Sequence, residues 1–369
     1  KSQIKIRINQ DFQHFQWLLP KHVQSLRQEK NQIKMNLHNH IVVSPKFQSM
    51  NKYVFILTNS EDVTSDYLEA RLINEDIAVL RYNTDLDLEK TKFRYSNLEP
   101  TVSWSKNRLS PDRISSIIYR RPKPLEVKSV DGDPYQIIHL ADEWREAWEG
   151  FLAHVPKHLW INHPSYNFLA SHKLEQLTHA NTAGLNVPAS FENTSASAAC
   201  TFYVDHAEGL ICKPLASGYI ERSSPAEDTL IYTCEIKEND IDNLNNIESS
   251  PVLFQEKINK KLDIRITYLD GQMVAVSLQS ADDQLLDIRR NNMSRVHYKA
   301  IDVPEDVSKS ITKLLNDYQL RFAAMDFAIQ EDGTWVFFEI NPNGQWAGLD
   351  LEAETNIYQL FIHAVTDIN

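Results

Sequence analysis

Three oxygen-bearing side chains sit in a run that otherwise reads as buried strand. From Met325 to Trp346 the sequence is MDFAIQEDGTWVFFEINPNGQW, which sets Asp326, Glu339 and Asn341 among Phe327, Ile329, Val336 and Phe338. Carboxylates are costly to bury without a partner, so their placement asks for a counter-charge. Asp332-Gly333 is a dipeptide suited to a two-residue hairpin turn, whose central positions take positive φ. With that loop, 331 faces 334 and facing numbers sum to 665, so Asp326 falls opposite Glu339. Strand alternation puts Asn341 on the side of Glu339. Opposed like charges destabilise a sheet unless a cation lies between them. An all-oxygen set suits Mg²⁺, which completes its shell with water and phosphate oxygens. A merely solvated face is the competing reading, and the apolar residues alternating on both sides of the hairpin argue against it.

A metal of this kind points to phosphate, and so to cations upstream. Lys173 lies in a helical stretch, and Lys213 sits in GLICKPL, where a lysine among Ile, Cys, Pro and Leu asks for an anion. Either alone reads equally as a solvated lysine. In LFQEKINKKLDIRI an apolar strand runs into Gln255-Glu256 and breaks, leaving backbone groups for a purine edge, while Asp263 and Arg265 open the next strand. ISSIIYRRP ends in Arg120 and Arg121, a pair able to clamp carboxylates or phosphates, or to form an exposed ion pair. His154, His158 and His163 have no ligand spacing and read as structural.

The elements that would carry these residues follow from periodicity. YVFILT, SDYLEARLINEDI and AVLRYN form a βαβ opening from Tyr53, and TNSED between the first two lacks a GxGxxG fingerprint. YQIIHLADEWREAWEGFLAHV is a long amphipathic helix. A further helix runs through Lys173 to a stop at Gly184, with Pro188 beyond. Strands GLICKPL, LIYTCEI and VLFQEKI follow around the polar loop ASGYIERSSPAED, then DIRITYLDG, QMVAVSLQS, helix DVSKSITKLLNDYQL and the hairpin. The blocks are 1–49, 50–165, 166–258 and 259–369. Residues 1–49 are basic and rich in Gln, Asn and His, with one amphipathic helix in DFQHFQWLLPKHVQSLRQEK, and read as an extension or a misassigned start, with a helix docked on the body or a fused recognition peptide as the alternatives.

The bulk numbers bound the rest. At 369 residues the chain exceeds one typical core, and 42% hydrophobic with 24% charged residues suits a soluble globular protein. A net charge of −12 argues against nucleic acid as a partner, and no apolar run reaches membrane-spanning length. Cys200, Cys212 and Cys234 form neither a disulfide framework nor a zinc motif, which fits a reducing cytoplasm with structural thiols. No signal peptide is expected, because residues 1–16 lack an apolar core.

Taken jointly, ASHKLEQL, ICKP, FQEKI, DIRI, MDF and FFEINPNGQW resemble the ATP-grasp superfamily of carboxylate–amine ligases over roughly Asn51 to the C-terminus. Within it, YRRP, WINHP and EINPNGQW most resemble the graspetide (microviridin-type) maturases of ribosomal peptides, with glutamate-adding ligases and glutathione synthetases more distant. The resemblance implies an α/β chain of α+β subdomains: a pre-ATP-grasp domain, a central lid domain and a C-terminal ATP- and Mg²⁺-binding domain. It implies that Lys173 and Lys213 bind ATP phosphates, that Gln255, Glu256, Lys257 and Ile258 line the adenine slot, and that Asp263 lies near the ribose. Asp326, Glu339 and Asn341 would hold two Mg²⁺, and Lys213, Arg265 and Arg289 would steady the reacting phosphoryl and acyl groups. Arg289, in LLDIRRNN, reads equally as a surface arginine. The phosphate-covering loop departs from the family's glycine-rich pattern, offering only Gly218.

The implied reaction activates an Asp or Glu side chain of a precursor peptide as an acyl phosphate, which Thr, Ser or Lys of the same peptide attacks to close an ester or amide ring. The partner would be a leader-plus-core precursor docking beside LIYTCEI, and a homodimer is implied as well. Two alternatives stand beside it: a ligase joining small carboxylates to amines, and an inactive peptide-binding adaptor, which the filled metal and phosphate positions disfavour.

Overall fold

The computed structural model describes residues 52–125, 127, 132–206, 209–216, 218–220, 229–241, 250–280, 286–290 and 293–367. The helix expected within 1–49 and most of the loop ASGYIERSSPAED lie outside the described residues.

The first region contains β1 (Tyr53–Thr58), α1 (Val63–Asn74), β2 (Val79–Asn83), β3 (Lys92–Ser96), β4 (Glu99–Trp104), β5 (Asn107–Leu109), β6 (Ile114–Tyr119), α2 (Pro134–Leu152) and β7 (Trp160–Ile161). Its main sheet is parallel, in the order β2-β1-β6-β7. β1 is an unbroken apolar run because both its faces are covered. Val54 and Ile56 pack with Tyr67, Leu68 and Leu72 of α1 on one side, while Phe55 and Leu57 meet Trp148, Phe151 and Leu152 of α2 on the other. Asp133 caps α2 by accepting the Tyr135 N–H, with Pro134 in the first turn where no N–H is needed. The antiparallel β3-β4-β5 sheet was not anticipated; it buries Val102, Trp104 and Leu109 beside α2.

Two helices follow, α3 (Pro164–Leu169) and α4 (Lys173–Ala183). The expected helix through Lys173 is thus interrupted, and Lys173 is the first residue of α4. Gly184 ends α4 at φ +102°, a left-handed position that favours glycine. The next region holds β8 (Ser190–Asn193), α5 (Ala196–Asp205), β9 (Leu210–Lys213), β10 (Tyr219–Ile220), β11 (Thr229–Leu230), β12 (Cys234–Ile236), α6 (Glu238–Ile241) and β13 (Val252–Glu256). Its antiparallel sheet has the order β12-β9-β13-β8.

The last region holds β14 (Lys260–Leu269), β15 (Gln272–Ser280), β16 (Val296–Ile301), α7 (Glu305–Asp317), β17 (Phe322–Gln330), β18 (Trp335–Asn341), α8 (Ala347–Glu352) and α9 (Tyr358–Thr366). The antiparallel order β16-β15-β14-β17-β18 leaves β18 at an edge. Ala323, Met325, Phe327, Ile264 and Ile266 pack against Leu177, Ala180 and Ala183 of α4 and Ile311, Leu314 and Leu315 of α7. α4 falls in the 166–258 block by sequence yet shares its core with this sheet. On the opposite face Leu269, Val276, Leu278, Phe322 and Ala324 pack with Trp346, Phe361 and the α1 side chains. Farther along that same face the residues change from apolar to charged: Asp263, Arg265, Asp326 and Glu339.

The β17–β18 hairpin reaches its expected pairing by an unexpected route. Gln330 N–H donates to Thr334 O and Gly333 N–H to Gln330 O, both at 3.0 Å, so the loop is the three residues 331–333. Gly333 has φ +89°, while Asp332 is not in the left-handed region. Near the turn Phe327 therefore pairs with Phe337 and Ala328 with Val336, one short of the two-residue register. A β-bulge at Phe338 restores the count, and Asp326 pairs with Glu339 and Ala324 with Asn341.

Candidate active site

Three charged residues stand in a row across neighbouring strands. Arg265 on β14 is the register partner of Asp326 on β17, which is the register partner of Glu339 on β18. Arg265 Nη1 donates to Asp326 Oδ1 at 2.6 Å, with the arginine side chain 6% and the aspartate 33% exposed. Lys173 Nζ lies 3.9 Å from Glu339 Oε2. Each carboxylate of the opposed pair thus faces a cation, as the repulsion between them requires. Asn341 is exposed at the end of β18, and its Oδ1 accepts the Asn343 N–H at 3.1 Å.

Lys173 also joins this row to the middle sheet. Its ammonium donates to Pro214 O at 2.9 Å and Ala216 O at 3.4 Å, immediately after Lys213 at the end of β9. Lys213 pairs with Leu253 on β13, the strand that runs to Gln255 and Glu256. Gln255 is buried and its amide donates to Ser190 Oγ at 2.7 Å. Glu256 Oε1 accepts the Ala189 N–H at 2.9 Å. Lys257 N–H donates to Gly209 O, and its ammonium pairs with Glu235 at 2.6 Å. Ile258 follows in the short connection into β14. Asp263 is held by Lys260 Nζ at 2.7 and 2.8 Å. Arg289 lies in the single helical turn Ile288–Arg290.

A buried polar network ties the first region to the loop after β18. Arg120 and Asp62, 2% and 3% exposed, pair at 2.9 Å. Arg120 also donates to Gly344 O at 3.0 Å and Gln345 Oε1 at 3.1 Å, and Gln345 returns a bond to Asp62 Oδ1. Burial alone would raise the Asp62 carboxyl; the Arg120 guanidinium and the Ser65 and Gln345 hydrogen bonds hold it well below the ordinary carboxylate range. Arg121, beside it, is exposed with φ +46°, a left-handed conformation costly for a side-chain-bearing residue. Its carbonyl accepts a 2.6 Å bond from Asn59. The YRRP pair therefore splits in role, one arginine structural and buried, the other presented at the strand ends.

Several solved structures share this architecture over most of the chain. The macrocyclase MdnC of Microcystis aeruginosa MRC, bound to precursor peptide MdnA, is 23% identical with a TM-score of 0.73, covering 85% of this chain and 99% of that one. A RiPP-associated ATP-grasp ligase of Chryseobacterium gregarium, in complex with ADP and a leader and core peptide, is 22% identical at 0.74, covering 86% and 97%. This chain has the ATP-grasp fold. The ATP-grasp ligase PsnB, complexed with a minimal precursor variant, Mg and ADP, is 18% identical at 0.69, covering 87% and 99%. D-cycloserine synthetase DcsG has the same layout at 11% identity and 0.54. No family model matches the sequence, and a search of curated proteins finds no match.

Within the ATP-grasp fold the oxygen set fits a hard divalent cation. Asp326 and Glu339 are directly opposed, Asn341 adds a neutral oxygen, and ammonium and guanidinium groups already compensate the two carboxylates. Among the described residues no three His, Cys, Asp or Glu side chains converge as a metal site. Also among the described residues, no helix is long and apolar enough to cross a membrane.

Proposed function

We propose that this chain is an ATP-dependent ligase that activates Asp or Glu side chains of a ribosomal precursor peptide and closes ester or amide cross-links within it. The observation carrying the proposal is the Arg265–Asp326–Glu339 row with Lys173 beside it, in a fold shared with a macrocyclase bound to its precursor peptide. Asp326, Glu339 and Asn341 would hold Mg²⁺, two ions in this reading, and the metal would supply positive charge to the phosphate oxygens.

Lys173 and Lys213 bind the ATP phosphates. Because Lys173 already contacts both the β9 end and Glu339, it registers the middle sheet against the metal site. Gln255, Glu256, Lys257 and Ile258 wall the adenine; the Lys257 N–H is committed to Gly209 O, which leaves its carbonyl as the backbone group it can offer the ring. Asp263 lies toward the ribose. Arg265, and Arg289 with it, steadies the acyl phosphate formed when the peptide carboxylate attacks the γ-phosphorus and ADP departs. The attacking hydroxyl or amine of the same peptide then expels inorganic phosphate and loses its proton. Arg121, exposed just past the end of β6, suits a substrate carboxylate.

The fold also accommodates small-molecule ligases, as DcsG illustrates, so joining a small carboxylate to an amine is the second reading. Incubation with ATP, Mg²⁺ and a candidate precursor decides between them. Loss of water from the peptide, one per ring, supports the first; turnover with small amines and an unchanged peptide supports the second.

A further inference from the structure

β18 is the edge strand that carries Glu339 and Asn341, and its outer edge meets no further strand in the five-stranded sheet. Buried backbone groups along an edge need partners, or each costs about 1–3 kcal/mol. Here side chains and loops from far upstream supply them. Asn186 O accepts the Phe337 N–H at 2.8 Å, and its side chain donates to Trp335 O at 3.1 Å. Gln176 of α4, 1% exposed, accepts the Ile340 N–H at 2.8 Å and donates to Ile340 O at 3.0 Å and Ala170 O at 2.6 Å. Asn162, 2% exposed, donates to Pro342 O at 3.3 Å and accepts the Phe322 N–H at 2.8 Å. Arg120 reaches Gly344 O. The held residues near the site are 340, 342 and 344, and they bracket Asn341.

Gln176 has the most direct bearing on the oxygen cluster. It grips both backbone groups of the residue between Glu339 and Asn341, so it fixes the peptide planes from which both side chains leave. It also lies one helical turn after Lys173, which faces Glu339. One helix therefore sets both the strand and its counter-charge.

We propose that Gln176 is a positioning residue for the Asp326–Glu339–Asn341 cluster, acting with Asn186 in place of a sixth strand along β18, while Asn162 and Arg120 hold the loop that follows it. This rests on the reading of the cluster as a cation site. Partners that orient ligands commonly change metal affinity by about 10- to 100-fold when lost.

The test uses the full chain with ADP and Mg²⁺ as probes. Gln176→Met keeps the volume and removes all three hydrogen bonds; Gln176→Glu, held neutral by burial beside two carbonyl oxygens, keeps the acceptor for Ile340 N–H and one of the two donors. Calorimetry of ADP binding across a Mg²⁺ titration is expected to show half-saturation raised about tenfold or more in Gln176→Met, with a smaller rise in Gln176→Glu and ADP affinity without Mg²⁺ unchanged. In metal-free protein the Ile340 amide is expected to exchange with solvent faster in Gln176→Met than in Gln176→Glu or wild type. Should the Met variant not fold, the Glu variant carries the test by itself. Wild-type Mg²⁺ titrations in the folded variants, whatever their thermal stability, overturn the proposal. Absence of any Mg²⁺ dependence in the wild type overturns the cation site itself, an outcome separable because Ile340 exchange still reports the hydrogen bond.

Discussion

Replacing Arg265 with methionine probes the charge row directly. The guanidinium is 2.6 Å from Asp326 and 6% exposed, while Asp326 is 33% exposed and faces Glu339 across the hairpin. Removing one partner of a fully buried ion pair costs about 3–5 kcal/mol. A third of Asp326 meets solvent, which screens the charge left behind and lowers the expected loss to about 1–3 kcal/mol. At roughly 2–4 °C per kcal/mol for a large domain, metal-free Arg265→Met should melt several degrees below wild type. Two further results follow from the geometry. Asp326→Asn in the Arg265→Met background should cost less than the sum of the single changes, because the carboxylate no longer needs the cation. Added Mg²⁺ should raise the melting temperature of Arg265→Met more than that of wild type, since it relieves the unshielded opposition of Asp326 and Glu339. Thermal unfolding with and without Mg²⁺ measures all of these. Additivity within about 0.5 kcal/mol, with equal Mg²⁺ effects, would refute the row as an electrostatic unit.

Glu339→Gln should abolish ATP turnover while leaving the metal-free fold intact, checked by phosphate release and circular dichroism. At Gly344 an added Cβ would lie 2.4 Å from Ala324 Cβ, so Gly344→Ala should destabilise by about 1–3 kcal/mol; Ala324→Gly in the same chain should recover part of it in chemical denaturation. The Asp62 carboxyl is held below its usual value, so its contribution is present at neutral pH and lost as pH falls through the folded value. Asp62→Asn should therefore lower the melting temperature at pH 7 and flatten its fall below about pH 4, the ordinary carboxylate range.

The hairpin shows how much of the site was legible in the sequence, and how. Opposition of Asp326 and Glu339 was reached by counting outward from Asp332-Gly333, but the real loop is one residue longer and a bulge at Phe338 returns the missing register. The alternation of apolar side chains on both faces was the sounder signal, because it required burial whatever the loop. Lys213 was visible as a cation in an apolar strand. Lys173 was visible only as a helical lysine that read equally as solvated, and its link to both Pro214 and Glu339 spans chain separations that periodicity does not report. Gln176 and Asn162 were missed for the same reason: an amide in a helix or a loop looks solvated until the edge strand it serves, some 160 residues away, is placed beside it. The β3-β4-β5 sheet escaped because its strands are short and half polar. Arg120 and Arg121 were seen as one pair, yet their divergence depends on the buried Asp62 and the backbone turn at Arg121.

The central claim is that the Asp326–Glu339–Asn341 site drives ATP-dependent ring closure in a peptide. Mass spectrometry of a candidate precursor, after incubation with the full chain, ATP and Mg²⁺, tests it most directly. The account predicts products lighter by one water per ring with matching phosphate release, and none with Glu339→Gln. ATP consumption that leaves every precursor unchanged while a small amine is ligated, or no binding of ATP at all, would contradict it.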